Sequence, residues 1–406
     1  MFLFGAATSS HQVEGGNHDN WSEWEEKTAE KKAESAKERK WPDYIRDMYP
    51  SPLSRENYVS GISADHYHRY EEDFDIARSL GHNAHRFSIA WSRIEPKEGK
   101  FDEKEIRHYR DVIAALRARG MEPFVTLWHW AIPVWFAEKG EWESPECVRY
   151  FSRFVKKVVS ELGDDVHFWI TLNEPEIYTS LSYLLGNWPP QRRSLAAYLR
   201  VLHNLIRAHK SAYEIIKKKY PNAEVGIAKN NIDFEAMGGK IMNRFLKFLG
   251  DWWWNSYFLD RISRHQDFIG LNHYFHSGIN YGFEKNEKKV ISDVGWEIHP
   301  ESIYPVLKDL TRYEKPIYVT ENGVADARDI YRESLIRETL KWVKKAKREG
   351  VDVRGYFHWS LLDNFEWADG YWPRFGLVAV DYKTLERHIR PSAFAFKKII
   401  EKWEDS

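Results

Sequence analysis

Short apolar runs alternate with longer amphipathic stretches along this sequence, and this alternation constrains the fold more than any other feature. Eight runs read as β-strands: Phe2–Ala6, Ala84–Ile89, Glu122–Leu127, His167–Leu172, Val225–Ala228, Phe268–Leu271, Ile317–Thr320 and Gly355–Trp359. Five stretches have helical periodicity: Tyr67–Leu80, Asp102–Arg119, Cys147–Leu162, Leu195–Tyr220 and Tyr331–Glu349. Strand–helix alternation is typical of a parallel sheet. Eight short apolar strands favour closure into an α/β barrel, and the first strand lacks the glycine-rich phosphate loop of a dinucleotide-binding open sheet.

The length of 406 residues exceeds the usual size of one domain. A (β/α)8 barrel, however, needs about 250 residues and tolerates large insertions. The sequence has neither a Gly/Ser- or Pro-rich linker nor a repeat of fixed period. We therefore expect a single TIM-barrel domain over residues 1–406, with a charged insertion at residues 25–63 after the first strand. Glu25–Lys40 is almost entirely Glu, Lys, Ala and Arg, which predicts a solvated helix or a flexible arm without chemistry of its own.

Charge and cysteine content exclude several classes of function. The formal net charge is −1, so a nucleic acid is not an expected partner. A membrane is not an expected partner either, because no stretch approaches the roughly 20 apolar residues of a membrane span. Met1–Gly5 lacks the basic and apolar regions of a secretory signal. The single cysteine, Cys147, cannot form an internal disulfide, and together these features predict a cytoplasmic protein.

Two short motifs indicate the chemistry. Residues 171–175 read Thr-Leu-Asn-Glu-Pro, and residues 318–323 read Tyr-Val-Thr-Glu-Asn-Gly. Each motif places one glutamate, Glu174 or Glu321, directly after a predicted strand. The carboxyl ends of barrel strands meet at one mouth, where such barrels keep their active sites. Two carboxylates that converge there are the minimum requirement for breaking a glycosidic bond with retained stereochemistry.

Polar and aromatic side chains occur at the carboxyl ends of most other predicted strands. They are Gln12, Arg86, His129, Trp130, Asn173, Asn230, Asn231, Asn272, Tyr274, Trp359, Glu366 and Trp367. Amides, imidazoles and carboxylates can bond the hydroxyls of a sugar, while an indole face packs against its C–H bonds. Asn230 and Asn231 are interpreted as loop-forming or helix-capping residues in preference to sugar ligands.

Six motifs together carry a resemblance to a known family. Besides the two glutamate motifs they are FGAATSSHQVEG at 4–15, RFSIAWSR at 86–93, HWSLLDNFEW at 358–367 and RFGLV at 374–378. In this order they resemble glycoside hydrolase family 1, the β-glucosidase/β-glycosidase family, over nearly the whole chain. The resemblance implies a β-glycosidase that needs no metal or cofactor. The expected partner is a small-molecule β-glycoside or oligosaccharide substrate.

The resemblance also implies roles for the matching residues. Glu174 would be the general acid/base and Glu321 the nucleophile, with Arg86 and Tyr274 beside the nucleophile. The candidate sugar-binding residues are Gln12, His129, Trp130, Asn173, Asn272, Tyr274, Trp359, Glu366, Trp367 and Phe375. Phosphoglycosidase members usually carry a non-acidic residue at the position of Glu366, so we expect non-phosphorylated sugars.

The expected mechanism sets opposite requirements for the two carboxyl groups. Glu321 must be ionised to attack the anomeric carbon, and Arg86 would favour that charged form. Glu174 must begin protonated, so burial and the charge of Glu321 should raise its pKa. Retention of configuration requires the two carboxyl groups to lie about 5 Å apart.

The chain departs from the family between the fifth and sixth strands. Only 36 positions separate Asn231 from Asp267, where family members usually have a larger excursion beside the active-site mouth. We therefore expect an unusually open acceptor side with donor recognition intact. Residues 252–254, three consecutive tryptophans, are interpreted as a helix face or a hydrophobic lid.

The leading hypothesis is a retaining β-glycosidase acting on β-linked glucose or galactose, with mannose and fucose as further options. The alternatives are a transglycosylase that uses the same residues, an endoglycanase, and a non-catalytic sugar-binding protein that has kept the scaffold. Glutamine is confined to Gln12, Gln191 and Gln266 while Glu, Lys and Arg are abundant, which favours a thermophilic source. Whether the chain forms a homo-oligomer is left open.

Overall fold

In the computed structural model, residues 1–287 and 289–403 are described, and within them eight parallel strands close into a barrel. The barrel strands are Leu3–Ala7, Ala84–Ser88, Glu122–Trp128, Phe168–Asn173, Glu224–Asn230, Phe268–Asn272, Ile317–Asn322 and Val353–Trp359. Successive strands pair in parallel, and the eighth pairs with the first. The predicted (β/α)8 TIM-barrel fold is therefore confirmed.

Helices surround the barrel and fill its connections. The longer α-helices are Asn20–Ala36, His66–Ser79, Glu103–Ala118, Cys147–Leu162, Leu195–Lys219, Ile241–Gly250, Ile303–Leu310, Arg332–Arg348 and Pro391–Glu401. The shorter ones are Ser10–Val13, Asp43–Arg46, Trp91–Ile94, Val134–Glu138, Pro175–Thr179 and Tyr257–Ile262, and π-helical turns occur at Ser180–Leu184 and Asp251–Ser256. None of the helices in the described ranges is long and apolar enough to cross a membrane.

All eight predicted strands are present, and several continue further toward their carboxyl ends than predicted. The fifth strand, for example, extends to Asn230 and the seventh to Asn322. The sequence argument ends each strand at its last apolar residue, whereas strand pairing continues where polar side chains line the barrel mouth. The predicted bounds of Cys147–Leu162 are confirmed, because its apolar face repeats with helical periodicity and is buried.

Helix Ile241–Gly250 lies outside the predicted helices. Its apolar residues have helical spacing, but Ile241, Phe245 and Phe248 are all more than half exposed, so part of its apolar face lies at the surface. Two short strands flank this region, since Asp233–Ala236 pairs in parallel with His276–Ile279. A second small pair, Val378–Val380 with Arg387–Ile389, is antiparallel.

Aromatic side chains close the barrel interior near the amino ends of the strands. Phe124 and Phe168 stack with ring centroids 4.2 Å apart, and Phe268, Tyr318 and Phe357 pack around them. This buried layer fills the lower barrel, so polar chemistry is confined to the opposite, carboxyl-terminal end.

The charged insertion after the first strand is a packed element. Asp19 caps helix Asn20–Ala36 and forms a capping box with Ser22. Alanines at positions 29, 33 and 36 pack against Tyr58, and Glu25 is fully buried. The prediction of a helix is correct for this segment, but its interpretation as wholly solvated is wrong. In the sequence, the signal for this packing is the spacing of these alanines at helical intervals.

Candidate active site

The two motif glutamates lie at the barrel mouth. Glu321 belongs to the seventh strand, whereas Glu174 directly follows the fourth strand and precedes helix Pro175–Thr179. Glu174 has a φ of +42°, a conformation that non-glycine residues rarely adopt outside constrained sites. Both side chains are buried, with 5% and 4% of the surface of Glu174 and Glu321 exposed. Burial therefore separates both carboxyl groups from bulk water.

Two donors hold the carboxylate of Glu321. Nη1 of Arg86 donates to one oxygen at 2.5 Å, and the hydroxyl of Tyr274 donates to the other at 2.8 Å. Nη2 of Arg86 also donates to Oδ1 of Asn173 at 2.6 Å, which fixes the plane of the guanidinium. Burial raises the pKa of Glu321 above its usual value, and the charge of Arg86 and the bond from Tyr274 oppose that shift. These contacts orient one carboxylate for nucleophilic attack.

Among the described residues, Glu174 has amide neighbours and no cation in direct contact. Nδ2 of Asn272 and Nδ2 of Asn230 donate to its Oε1 at 2.9 and 3.2 Å. Burial, and then the negative charge of Glu321, raises the pKa of Glu174 to about 8. A carboxyl group with this pKa keeps its proton at neutral pH and can donate it to a leaving oxygen.

Asn173 and His129 form the next part of the polar wall. Nδ2 of Asn173 donates to Nε2 of His129 at 3.0 Å. Burial keeps the pKa of His129 well below its usual value, so its imidazole is neutral. The indole Nε1 of Trp130 donates to the main-chain oxygen of Asn173 at 2.9 Å. The two hydrogen bonds fix the orientations of His129 and Trp130 at the mouth.

Gln12 and Glu366 form the opposite part of the polar wall. Nε2 of Gln12 donates to Oε2 of Glu366 at 3.2 Å, and its Oε1 accepts a hydrogen bond from Ser9 at 2.7 Å. Burial, together with the charges of Asp369 and Glu321, raises the pKa of Glu366 well above its usual value. Because this carboxyl group is buried, hydroxyl donors of a bound sugar would supply hydrogen bonds that its burial otherwise denies it.

Aromatic side chains complete a cavity of about 350 Å³. Trp130, Trp359, Trp367 and Phe375 line it, and each is more than nine-tenths buried. Trp130 and Trp367 have φ values of +72° and +49°, so the backbone is strained at two of these aromatic residues as well as at Glu174. Gly323, in the second glutamate motif, is needed nearby because a Cβ there would lie 1.9 Å from the carbonyl oxygen of Trp359.

All the predicted site residues come together. Nine line the cavity: His129, Trp130, Glu174, Tyr274, Glu321, Trp359, Glu366, Trp367 and Phe375. The other four lie behind them and bond to them: Gln12 to Glu366, Arg86 to Glu321, Asn173 to His129, and Asn272 to Glu174.

Several lining residues escape the sequence reasoning. Asn230 is the last residue of the fifth strand and donates to Glu174, so its interpretation as a loop-forming or capping residue is wrong. The sequence does place Asn230 at the carboxyl end of the fifth strand, and that position is the signal for its presence at the barrel mouth. Trp188, Phe275 and Trp296 also line the cavity, and no local motif marks them. Among the described residues, no group of three or more His, Cys, Asp or Glu side chains is placed to hold a metal ion.

Comparisons with known proteins give one consistent result. The family model for glycosyl hydrolase family 1 matches residues 1–259 and 240–404. β-Glucosidase A of Thermotoga maritima is 33% identical over 451 aligned positions, covering 98% of this chain and 97% of that protein. The structure of a β-glycosidase from Pyrococcus horikoshii is 37% identical with a TM-score of 0.87, covering 98% of this chain and 93% of that chain. The Thermotoga maritima β-glucosidase in complex with glucoimidazole is 29% identical with a TM-score of 0.87, covering 98% and 97%.

The comparisons also bear on the short region after the fifth strand. The alignment with the Thermotoga maritima protein is 451 positions long, more than the 406 residues of this chain, so that relative contains residues that this chain lacks. The two segments that match the family model overlap at residues 240–259, between the fifth and sixth strands. This is the region where the sequence is expected to be short.

Proposed function

The chain belongs to glycosyl hydrolase family 1, and from this premise we propose that it is a retaining β-glycosidase. Its proposed substrates are small-molecule glycosides with a terminal non-reducing β-D-glucosyl residue, and galactosyl, fucosyl or mannosyl residues are secondary candidates. The observation that carries the proposal is that the two buried carboxyl groups have different surroundings. Arg86 contacts Glu321 directly, whereas Glu174 has amide partners and a pKa raised to about 8.

In the first step, a carboxylate oxygen of Glu321 attacks the anomeric carbon and forms a glycosyl ester. The bond from that carbon to the leaving oxygen breaks, and Glu174 gives its proton to this oxygen. Tyr274 and Arg86 hold Glu321 so that it approaches from one face. As the charge of Glu321 is consumed, the pKa of Glu174 falls, which prepares Glu174 to act as a base.

In the second step, water attacks the anomeric carbon from the face that the leaving group vacated. Glu174 accepts a proton from this water, and the ester bond to Glu321 breaks. Two inversions give net retention, and both carboxyl groups return to their starting protonation states. The atoms of one water molecule are divided between the sugar and the released alcohol.

The donor sugar is proposed to lie among the polar walls and indole faces of the cavity. Glu366 and Gln12 would bond its outer hydroxyls, Asn173 its 2-hydroxyl, and Trp359 would pack on its C–H face. Glucose is proposed first because the Thermotoga maritima relatives are named β-glucosidases. A carboxyl group at Glu366 supports a sugar without a 6-phosphate. We further propose that residues 1–406 act as one catalytic domain located in the cytoplasm.

Hydrolysis of p-nitrophenyl β-glycosides tests the proposal. Wild-type protein, Glu174→Ala and Glu321→Ala would be assayed on glucoside, galactoside, fucoside and mannoside. We expect wild-type protein to hydrolyse the glucoside and to release a first product with retained β-configuration. The Glu321 variant should lose this activity. Adding a sugar acceptor would reveal a transglycosylase, and wild-type inactivity on every glycoside would contradict the proposal and favour a sugar-binding protein.

A further inference from the structure

A second and larger cavity, of about 720 Å³, adjoins the candidate active site. Ile177, Phe275 and Trp296 line both cavities. The rest of its wall comes from residues 232–254, after the fifth strand, and residues 276–297, after the sixth. Its size is within the range of ordinary small-molecule sites.

This cavity lies on the side of the carboxyl group proposed to protonate the leaving oxygen. Nε1 of Trp254, which lines the larger cavity, donates to Oδ1 of Asn230 at 3.3 Å. Asn230 in turn donates to Glu174 at 3.2 Å. Gln12 and Glu366, the proposed ligands of the donor sugar, do not line the larger cavity. The leaving group of a bound glycoside would therefore extend toward it.

The walls of the larger cavity are mostly apolar. Ile232, Phe234, Leu246, Leu249 and Phe283 present hydrocarbon surface to it. Indole rings at positions 253 and 254 add to this surface, and both indole nitrogens are already bonded, to Tyr198 and Asn230. Residues 252–254, interpreted from the sequence as a helix face or a hydrophobic lid, lie in a helical turn from which Trp253 and Trp254 line the apolar cavity.

The polar lining groups are largely engaged with one another. Nδ2 of Asn286 donates to Glu297 at 2.5 Å, and Nδ1 of His276 lies 2.9 Å from the same carboxylate. Oδ1 of Asn286 accepts a hydrogen bond from the amide of Gly278 at 2.7 Å. The carboxylate of Glu284 belongs to an exposed residue. A second sugar unit in this cavity would lose hydrogen bonds to water without replacing them, whereas a hydrocarbon would not.

We propose that the larger cavity binds the aglycone, and that the preferred substrates are β-glucosides of hydrocarbon chains, such as n-alkyl β-D-glucosides. This inference rests on the proposed function, because it assigns the leaving-group side of the same site. Glu174 would protonate the ether oxygen, and the released alcohol would leave through the apolar cavity. Each methylene that enters the cavity should raise kcat/KM about fourfold, until the chain outgrows it.

The test uses ethyl, butyl, hexyl and octyl β-D-glucosides below their micelle-forming concentrations, with p-nitrophenyl β-glucoside as the reference. Wild-type kcat/KM should rise steeply from ethyl to octyl. In Leu246→Asp, which puts a charge in the cavity wall, the octyl-to-ethyl ratio should fall on the order of tenfold or more. The matched control is Phe248→Asp on the same helix, at a side chain that is 63% exposed and does not line the cavity. It should keep the wild-type ratio.

Phe283→Asp provides a second cavity variant on a loop, should Leu246→Asp fail to fold. Equal kcat/KM for ethyl and octyl glucosides in active wild-type protein would overturn the aglycone inference and leave the proposed function standing. A preference for cellobiose over octyl glucoside would overturn it as well. Inactivity on the whole series and on p-nitrophenyl glucoside would reject the proposed function, and this inference with it.

Discussion

Nε2 of His11 lies 2.7 Å from a carboxylate oxygen of Glu25, and both side chains are buried. Nδ1 of the same imidazole lies 2.8 Å from Asp19. The ring also stacks on Trp367, with centroids 5.3 Å apart and 7° between the planes. The charged insertion therefore supports a wall of the proposed donor site from behind.

The ion pair between His11 and Glu25 predicts a pH-dependent contribution to stability. Although burial opposes protonation, Asp19 and Glu25 raise the pKa of His11 to about 10 in the folded state, above 6.5 for the free side chain. The stabilisation is complete below pH 6.5 and is lost as the pH rises through 10. Glu25→Gln should lower the free energy of unfolding by about 3 kcal/mol at pH 6, and by much less above pH 10.

Denaturant unfolding at pH 6 and pH 10.5 measures this difference. Glu30→Gln is the matched control, because it makes the same chemical change at an exposed position of the same helix. It should have little effect at either pH. A loss in Glu25→Gln that is equal at both pH values would contradict a charged His11.

The rate of hydrolysis should follow a bell-shaped pH profile. The acidic limb reports ionisation of Glu321, and the alkaline limb reports loss of the Glu174 proton near pH 8, with both apparent pKa values belonging to the coupled pair. Glu174→Ala should remove the alkaline limb for a substrate with an activated leaving group, such as dinitrophenyl β-glucoside. Persistence of that limb would assign it to another group.

Azide rescue should distinguish the two carboxyl groups. In Glu321→Gly, azide can occupy the space of the lost carboxylate and attack directly, so the product should be the α-glycosyl azide by a single inversion. In Glu174→Ala, azide would attack the glycosyl-enzyme and yield the β-glycosyl azide. Product configuration by NMR is the measurement, and formate should also restore part of the activity of Glu321→Gly. Interchanged configurations would reverse the assignments of Glu174 and Glu321.

We predict that removing the Asn230 side chain shifts only the alkaline limb of the pH profile. Its hydrogen bond to Glu174 favours the charged carboxylate, so Asn230→Ala should raise the pKa of Glu174 and move this limb to higher pH. Asn231→Ala is the matched control. Asn231 is the next residue in the chain, and within the described part of the structure its side chain has no hydrogen bond to Glu174. If both variants shift the limb equally, the effect comes from the loop as a whole.

The sequence by itself determined the order of barrel strands and the placement of Glu174 and Glu321. Both depend on local information, because apolar runs alternate with helical periods and each glutamate directly follows a strand. The carboxyl ends of parallel strands must then converge at one mouth, whatever the loops do.

Only the tertiary structure decided which distant side chains meet. Glu25 looks like one charge in a solvated segment, yet folding buries it against His11. Asn230 becomes a partner of Glu174 because the fourth and fifth strands are adjacent in the barrel. The apolar cavity exists because segments after the fifth and sixth strands pack together, and neither segment shows this alone. Such contacts depend on how segments that are distant in the sequence pack against each other, and neither periodicity nor short motifs carry that information.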